Sequence, residues 1–134
     1  MIMKTPYGSY NLYIDGNIAF MRFVGMFNAA TTTHLAQEAR ELLEQFGNKD
    51  FLIFADMLQL EGATPEAYTI IDEFNQWLNT RNMIGKALLI ENKIIVQIAR
   101  HRVKSFKHQN IQYFSNKDEA LMWFEEIQKQ QIAS

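Results

Sequence analysis

Asp56 and Glu61 are two carboxylates five positions apart, a spacing that could supply a general acid and a general base if a fold brought both into one cleft. Strand-end acids more often accept loop N–H bonds, and that is the plainer use here. Just beyond them, Thr64-Pro65-Glu66 puts a hydroxyl at a helix start, where the positive helix end would favour a phosphate. Thr64 is therefore the candidate phosphosite, against the simpler role of backbone cap. His34 and Glu38 stand one helical turn apart, two potential metal ligands without a third, so a surface hydrogen-bonding pair is expected and no metal. Lys93, Arg100, Lys104 and Lys107 fall on one face of an expected helix, and no acidic residue lies between Glu91 and Asp118. Such a face would raise the local concentration of an acidic protein, a phosphate-bearing ligand or an anionic membrane. Its plainer reading is a solvated helix surface whose last cations complement the helix dipole.

The chain has no cysteine, which removes disulfides, thiolate nucleophiles and cysteine-based metal sites. It has no Gly-x-Ser-x-Gly elbow, P-loop or Gly-x-Gly-x-x-Gly turn, so no cofactor is expected. A net charge of −2 over 134 residues gives no reason to expect a nucleic-acid partner. No apolar run approaches the roughly 18 residues of a membrane span. Residues 1–6 lack the apolar core of a signal peptide, and a cytoplasmic location is the expectation. Without repeats, low-complexity tracts or a Pro/Gly-rich linker, residues 1–134 read as a single domain.

The elements that would position these residues are well punctuated. Tyr10, Leu12 and Ile14 alternate with polar positions, Asp15-Gly16 supplies a tight turn and Ile18 to Val24 follows as a second extended run, which predicts a β-hairpin. Asn28 can cap a helix with the stripe Leu35, Ala39, Leu42, Leu43 and Phe46, stopped at Gly47. Phe51 to Asp56 reads as a central strand, followed by a seven-residue linker. Thr64 caps and Pro65 opens a second helix that buries Ala67, Ile70, Ile71, Phe74 and Leu78. Ile84 to Ile90 is a buried strand. A helix from Asn92 then buries Ile95, Ile98, Ala99, Val103 and Phe106. Asn110 to Phe114 is a short strand, and a last helix opens at Ser115 or Asn116, with Glu119 placed for a capping box and Ala120, Leu121, Phe124 and Ile127 facing inward. The order ββαβαβαβα predicts an α/β fold: a mixed, largely parallel sheet with an N-terminal hairpin and four helices, the second hairpin strand beside the strand ending at Asp56.

This layout, with the strand–loop–helix of Phe51 to Glu66 and the closing helix Ser115-Asn116-Lys117-Asp118-Glu119-Ala120-Leu121-Met122-Trp123-Phe124, resembles the STAS domain, the anti-sigma-factor antagonist fold. It looks most like that group's bacterial stand-alone members, which share features with the lipid-binding CRAL-TRIO domains. The resemblance implies a non-enzymatic regulatory domain that contacts a protein partner through the loop and helix start after the central strand. In the antagonists that helix start is Asp-Ser-Ser-Gly-like and carries the phosphorylated serine. The matching positions here are Thr64, Pro65, Glu66 and Ala67, so neither serine is present.

The expected contact surface is therefore Asp56, Leu58, Leu60, Glu61, Gly62, Thr64 and Glu66, which offers one-sided charge and apolar area without a nucleophile–base pair. The alternative, from the CRAL-TRIO side of the resemblance and the supply of Phe, Met and Tyr, is a small binder of an apolar or lipid-like ligand, which would require a cavity rather than a filled core. An enzyme is the third reading, and would need Asp56, Glu61 and a basic residue to converge in a closed cleft. Trp77, Met122 and Trp123 at helix edges suggest a homodimer, although core packing is the plainer use of both tryptophans.

Overall fold

The computed structural model describes residues 2–133. Six strands form one sheet in the spatial order of the sequence: β1 (Ile2–Thr5), β2 (Gly8–Asp15), β3 (Ile18–Phe27), β4 (Phe51–Ala63), β5 (Met83–Leu89) and β6 (Ile111–Phe114). The β1/β2 and β2/β3 pairs are antiparallel; β3/β4, β4/β5 and β5/β6 are parallel. The helices are α1 (Ala29–Glu44), α2 (Pro65–Leu78), α3 (Lys93–Arg102) and α4 (Lys117–Ala133), with a short 3-10 turn at Lys104–His108.

The hairpin, the parallel pairing of its second strand with the strand through Asp56, and the strand–helix repeats are as the sequence predicts. The caps agree as well. Asn28 Oδ1 accepts from Thr31 N–H (2.9 Å), Thr64 Oγ1 from Ala67 N–H (3.2 Å), and Asn116 Oδ1 from the Asp118 and Glu119 N–H groups (2.7 and 3.3 Å). Each satisfies an amide that the helix start would otherwise leave unpaired. The additional strand β1 holds only four residues before Pro6, too few to show a period, and Thr5 Oγ1 ties the turn by accepting from Tyr7 N–H and donating to Gly8 O.

Successive β residues point to opposite faces, and the buried runs are therefore shared between two layers. Phe51, Ile53 and Ala55 of β4 face α1, α2 and α3, whereas Leu52 and Phe54 face α4 with Ala87 and Leu89 of β5. On the α4 side the fit is close: a Cβ at Gly85 would stand 2.7 Å from Ile127 Cδ1 and 3.1 Å from Leu52 Cδ2. Among the described residues no helix is long and apolar enough to cross a membrane.

Two expectations about local structure are corrected. The segment from Met57 to Ala63 is not a linker but the second half of β4, paired with β3 out to Phe27↔Ala63. Register shifts between Arg22/Val24 and Gly25/Met26 mark two irregularities in that pairing. They set the inward-facing positions at Ala55, Met57, Leu60 and Ala63, so the two-residue period lengthens to three at each one. A strand with broken alternation reads as a loop.

The second correction concerns the basic face. α3 ends at Arg102, Val103 departs from helical geometry (φ −103°, ψ 81°), and Lys104 and Lys107 lie on the separate 3-10 turn. Ser105 explains the break. Its N–H and Oγ–H both donate to Asp72 Oδ1 of α2 (3.0 and 2.7 Å), and its carbonyl accepts from Asn79 Nδ2 (3.0 Å). An amide committed to Asp72 is not available to continue the helix. Lys93, Arg100, Lys104 and Lys107 are all exposed, but they do not form one helical face. Ile98, expected inside, is exposed as well.

Candidate functional site

The residues expected to form the contact surface lie along the far half of β4 and the start of α2. Asp56 Oδ1 accepts from Leu58 N–H (3.1 Å), and Oδ2 makes a long contact of 3.9 Å with Arg22 Nε of β3 on the open sheet surface. Glu61 is exposed, its Oε2 3.8 Å from where a Cβ on Gly25 would stand. Leu58 is 44% exposed and Met26, on the neighbouring strand, 49%. Leu60 instead turns inward against the core, so it is not part of an outer surface. Gly62 has φ 148° and packs under Met26, whose Cε and Sδ lie 3.3 and 3.5 Å from a Cβ built there. Thr64 is occupied as the α2 cap, its N–H donating to Phe27 O (2.9 Å), and Glu66 is exposed in the first turn. Both tryptophans are half-buried and packed: the Arg40 and Arg81 guanidinium groups lie 5.4 and 5.5 Å from the Trp77 ring, and Trp123 packs at a tilt against Phe114 and Phe124. Among the described residues no group of three or more His, Asp or Glu side chains converges on a metal position.

The other place where chemistry concentrates is inside. Between the sheet and helices α1, α2 and α3 lies an apolar cavity of about 140 Å³. Its walls include Phe74 of α2, Ile95 and Ala99 of α3, Leu60 and Leu88 of the sheet, and Val103 and Phe106. Tyr113, 39% exposed, belongs to both wall and outer surface. An engineered cavity of roughly 150 Å³ lined by Leu, Ile and Phe stays dry and admits benzene.

One amine sits in this wall. Lys86 occupies the middle of β5 and is only 6% exposed. Its Nζ donates to Asn75 Oδ1 of α2 (2.7 Å) and stands 4.9 Å from the centre of the Phe106 ring. Asn75 is fixed in turn: its Nδ2 donates to Ile71 O (2.8 Å), and its Oδ1 also accepts from Gln109 Nε2 (3.1 Å). Among the described residues no Asp or Glu lines the cavity. Burial without a counter-charge pushes the Lys86 ammonium down to about 7. Burial likewise raises the phenols of Tyr68 and Tyr113, opposed by Arg102 and Arg100 respectively. At Asp72 burial works toward a higher value, but hydrogen bonds from Ser105 and Gln76, with Lys104 nearby, hold the carboxyl below its ordinary range. The Asp72–Ser105 link thus fastens the 3-10 turn to α2 beside the cavity.

Neither Lys86 nor Asn75 stands out by motif, yet each leaves a trace in the sequence. Lys86 is in phase with Leu88 and Ile90 within an otherwise apolar strand, and Asn75 interrupts the stripe between Ile71 and Leu78. Polar groups at core-facing positions need partners, and these two are partners of each other.

Comparison with solved structures identifies the architecture. An uncharacterized protein of the DUF3478 family with a SpoIIAA-like fold from Shewanella loihica PV-4 superposes with a TM-score of 0.69 at 14% identity, covering 90% of this chain and 98% of that one. The fold is SpoIIAA-like. An anti-sigma factor antagonist from Mycobacterium paratuberculosis shares it, with a TM-score of 0.62 at 12% identity over 90% of this chain and 97% of the other. No family model and no curated protein sequence matches the chain. The SpoIIAA-like architecture bears out the expected order of elements and the resemblance to anti-sigma-factor antagonists at the level of fold.

Proposed function

We propose that this chain is a non-enzymatic regulatory domain of SpoIIAA-like fold that holds a small, mainly apolar ligand between its sheet and α1–α3. The observation that carries the reading is the apolar cavity of about 140 Å³. A well-packed core leaves few voids larger than a water molecule, and an unfilled one forfeits dispersion contacts along its whole lining. The size narrows the part of the ligand held inside: a benzene-sized body fits such a volume.

The test uses 2-phenylethanol as a neutral probe, followed by amide chemical shifts and thermal unfolding. Saturable binding should perturb residues around Phe74, Ile95 and Ala99, raise the melting temperature and disappear in Ala99→Leu, which fills the space. Absence of saturable binding up to millimolar probe would refute it.

A second reading is favoured by the exposed Leu58 and Met26 on adjacent strands: the end of β4 and the start of α2 dock a protein partner, and a phosphate on Thr64 would meet the positive end of α2. Leu58→Ser with Glu61→Lys should weaken capture of that partner, while the control pair Glu41→Lys with Glu44→Lys on α1 should not. Equal capture by both pairs would place the surface elsewhere.

A further inference from the structure

Resting on the cavity reading above, we infer that the ligand is a small apolar monocarboxylate whose acid group is received by Lys86 Nζ beside Asn75. Lys86 is the one basic side chain among the described residues lining the cavity, and its partner Asn75 and the Phe106 ring beneath it line it too. An ammonium has three N–H donors, and among the described residues Nζ uses one, to Asn75 Oδ1. The remaining donor capacity is buried in a wall with no Asp or Glu. An amine in apolar surroundings without an acceptor of opposite charge is an expensive feature unless something arrives to complete it.

A carboxylate is the group that completes it. It supplies the missing counter-charge and accepts charge-assisted hydrogen bonds from Nζ, while Asn75 Oδ1 retains its bonds from Lys86 and Gln109. An alcohol offers a weaker acceptor, and a cationic head would meet Lys86 with like charge. Burial holds the free amine near a value of about 7, so just above neutrality it is largely unprotonated. A carboxylate entering from water then brings one proton with it, shared between the two groups as ammonium–carboxylate or as amine–carboxylic acid. The proton count is the same either way. The other ionisable groups around the cavity are the phenols of Tyr68 and Tyr113, the Arg100 and Arg102 guanidinium groups that act on them, and Asp72, whose carboxylate is turned to Ser105. Both phenols are held above their ordinary values by burial and stay protonated at this pH.

Isothermal titration of the full chain at pH 8, with phenylacetate and with 2-phenylethanol in two buffers of different ionisation enthalpy, tests the inference. Phenylacetate should bind roughly ten-fold or more tightly than the alcohol, with uptake of close to one proton; the alcohol should bind with none. In Lys86→Met the preference and the proton uptake should both vanish while the alcohol still binds. If that variant does not fold, the wild-type affinity ratio and proton count decide the matter alone. Equal affinities without proton uptake would overturn the carboxylate inference and leave the apolar cavity standing. A preference that survives in Lys86→Met would assign the acid to exposed Arg100 or Arg102 and overturn it as well. If neither probe binds, the cavity reading itself fails.

Discussion

On the α4 face of the sheet, Gly85 has no room for a methyl group, with Ile127, Leu52 and Trp123 all within 3.4 Å of where a Cβ would stand. On the opposite face, one residue along the same strand, Lys86 borders about 140 Å³ of apolar space. Strand β5 therefore divides a filled core from an open one. The α4 face does what a core does for stability: Leu52, Phe54, Ala87, Leu89, Ala120, Phe124 and Ile127 form an all-apolar cluster. The other face gives up packing and carries polar groups inside, Lys86 with Asn75 and, at its edge, Asp72 with Ser105. Packing lost on one face only, together with a buried amine there, is the pattern a binding site would leave and a loosely built domain would not.

Mutations on the two faces should act differently. The largest effect is expected from Lys86→Met. The folded amine titrates near 7 against an ordinary 10.5, so between those values the unfolded chain holds a proton that the folded chain lacks, and stability rises with pH. The slope is at most about 1.4 kcal/mol per pH unit, and the full penalty, present at and below pH 7, is at most about 5 kcal/mol. Above pH 10 the raised phenols of Tyr68 and Tyr113 act in the opposite sense, because the folded chain then holds the extra protons. Urea unfolding of the wild type should thus show stability climbing from pH 7 to 10, and Lys86→Met should be more stable at pH 7 and lack that climb. A climb that persists in the variant would mean that Lys86 is not the group responsible.

Gly85→Val should destabilise by about 1–3 kcal/mol, since added carbons on the filled face meet side chains already in contact. Ser105→Ala, which removes the Oγ–H donated to Asp72, should cost about 1 kcal/mol and loosen the 3-10 turn, seen as faster hydrogen exchange from Val103 to His108. Ala99→Leu should change stability by no more than about 1 kcal/mol, toward greater stability, because it fills space instead of displacing atoms. Gly85→Val and Ala99→Leu each add three carbons, and the comparison requires opposite signs. If both destabilise by the same amount, the two faces are equally packed.

Most of the fold was legible because its signals are local. Asn28, Thr64 and Asn116 cap the helices that their sequence positions suggest, and the stripes of α1, α2 and α4 fall on their expected faces. What could not be read depends on distant partners. The extension of β4 to Ala63 rests on two irregularities against β3, and the end of α3 on the Asp72 carboxylate, 33 residues before the Ser105 amide that it holds. The cavity is harder still, because empty space has no residue to announce it. Its nearest sequence signal is Lys86 inside an apolar strand, and Ile84 to Ile90 otherwise satisfies the pattern of a buried strand.

The space between β5, α2 and α3 should accept an apolar guest while the α4 face should not, and xenon tests this with the least chemistry. In crystals pressurised with xenon, ordered xenon should appear among Phe74, Ile95 and Ala99 and none between the sheet and α4. Side chains filling that space, with no xenon in the domain, would contradict it.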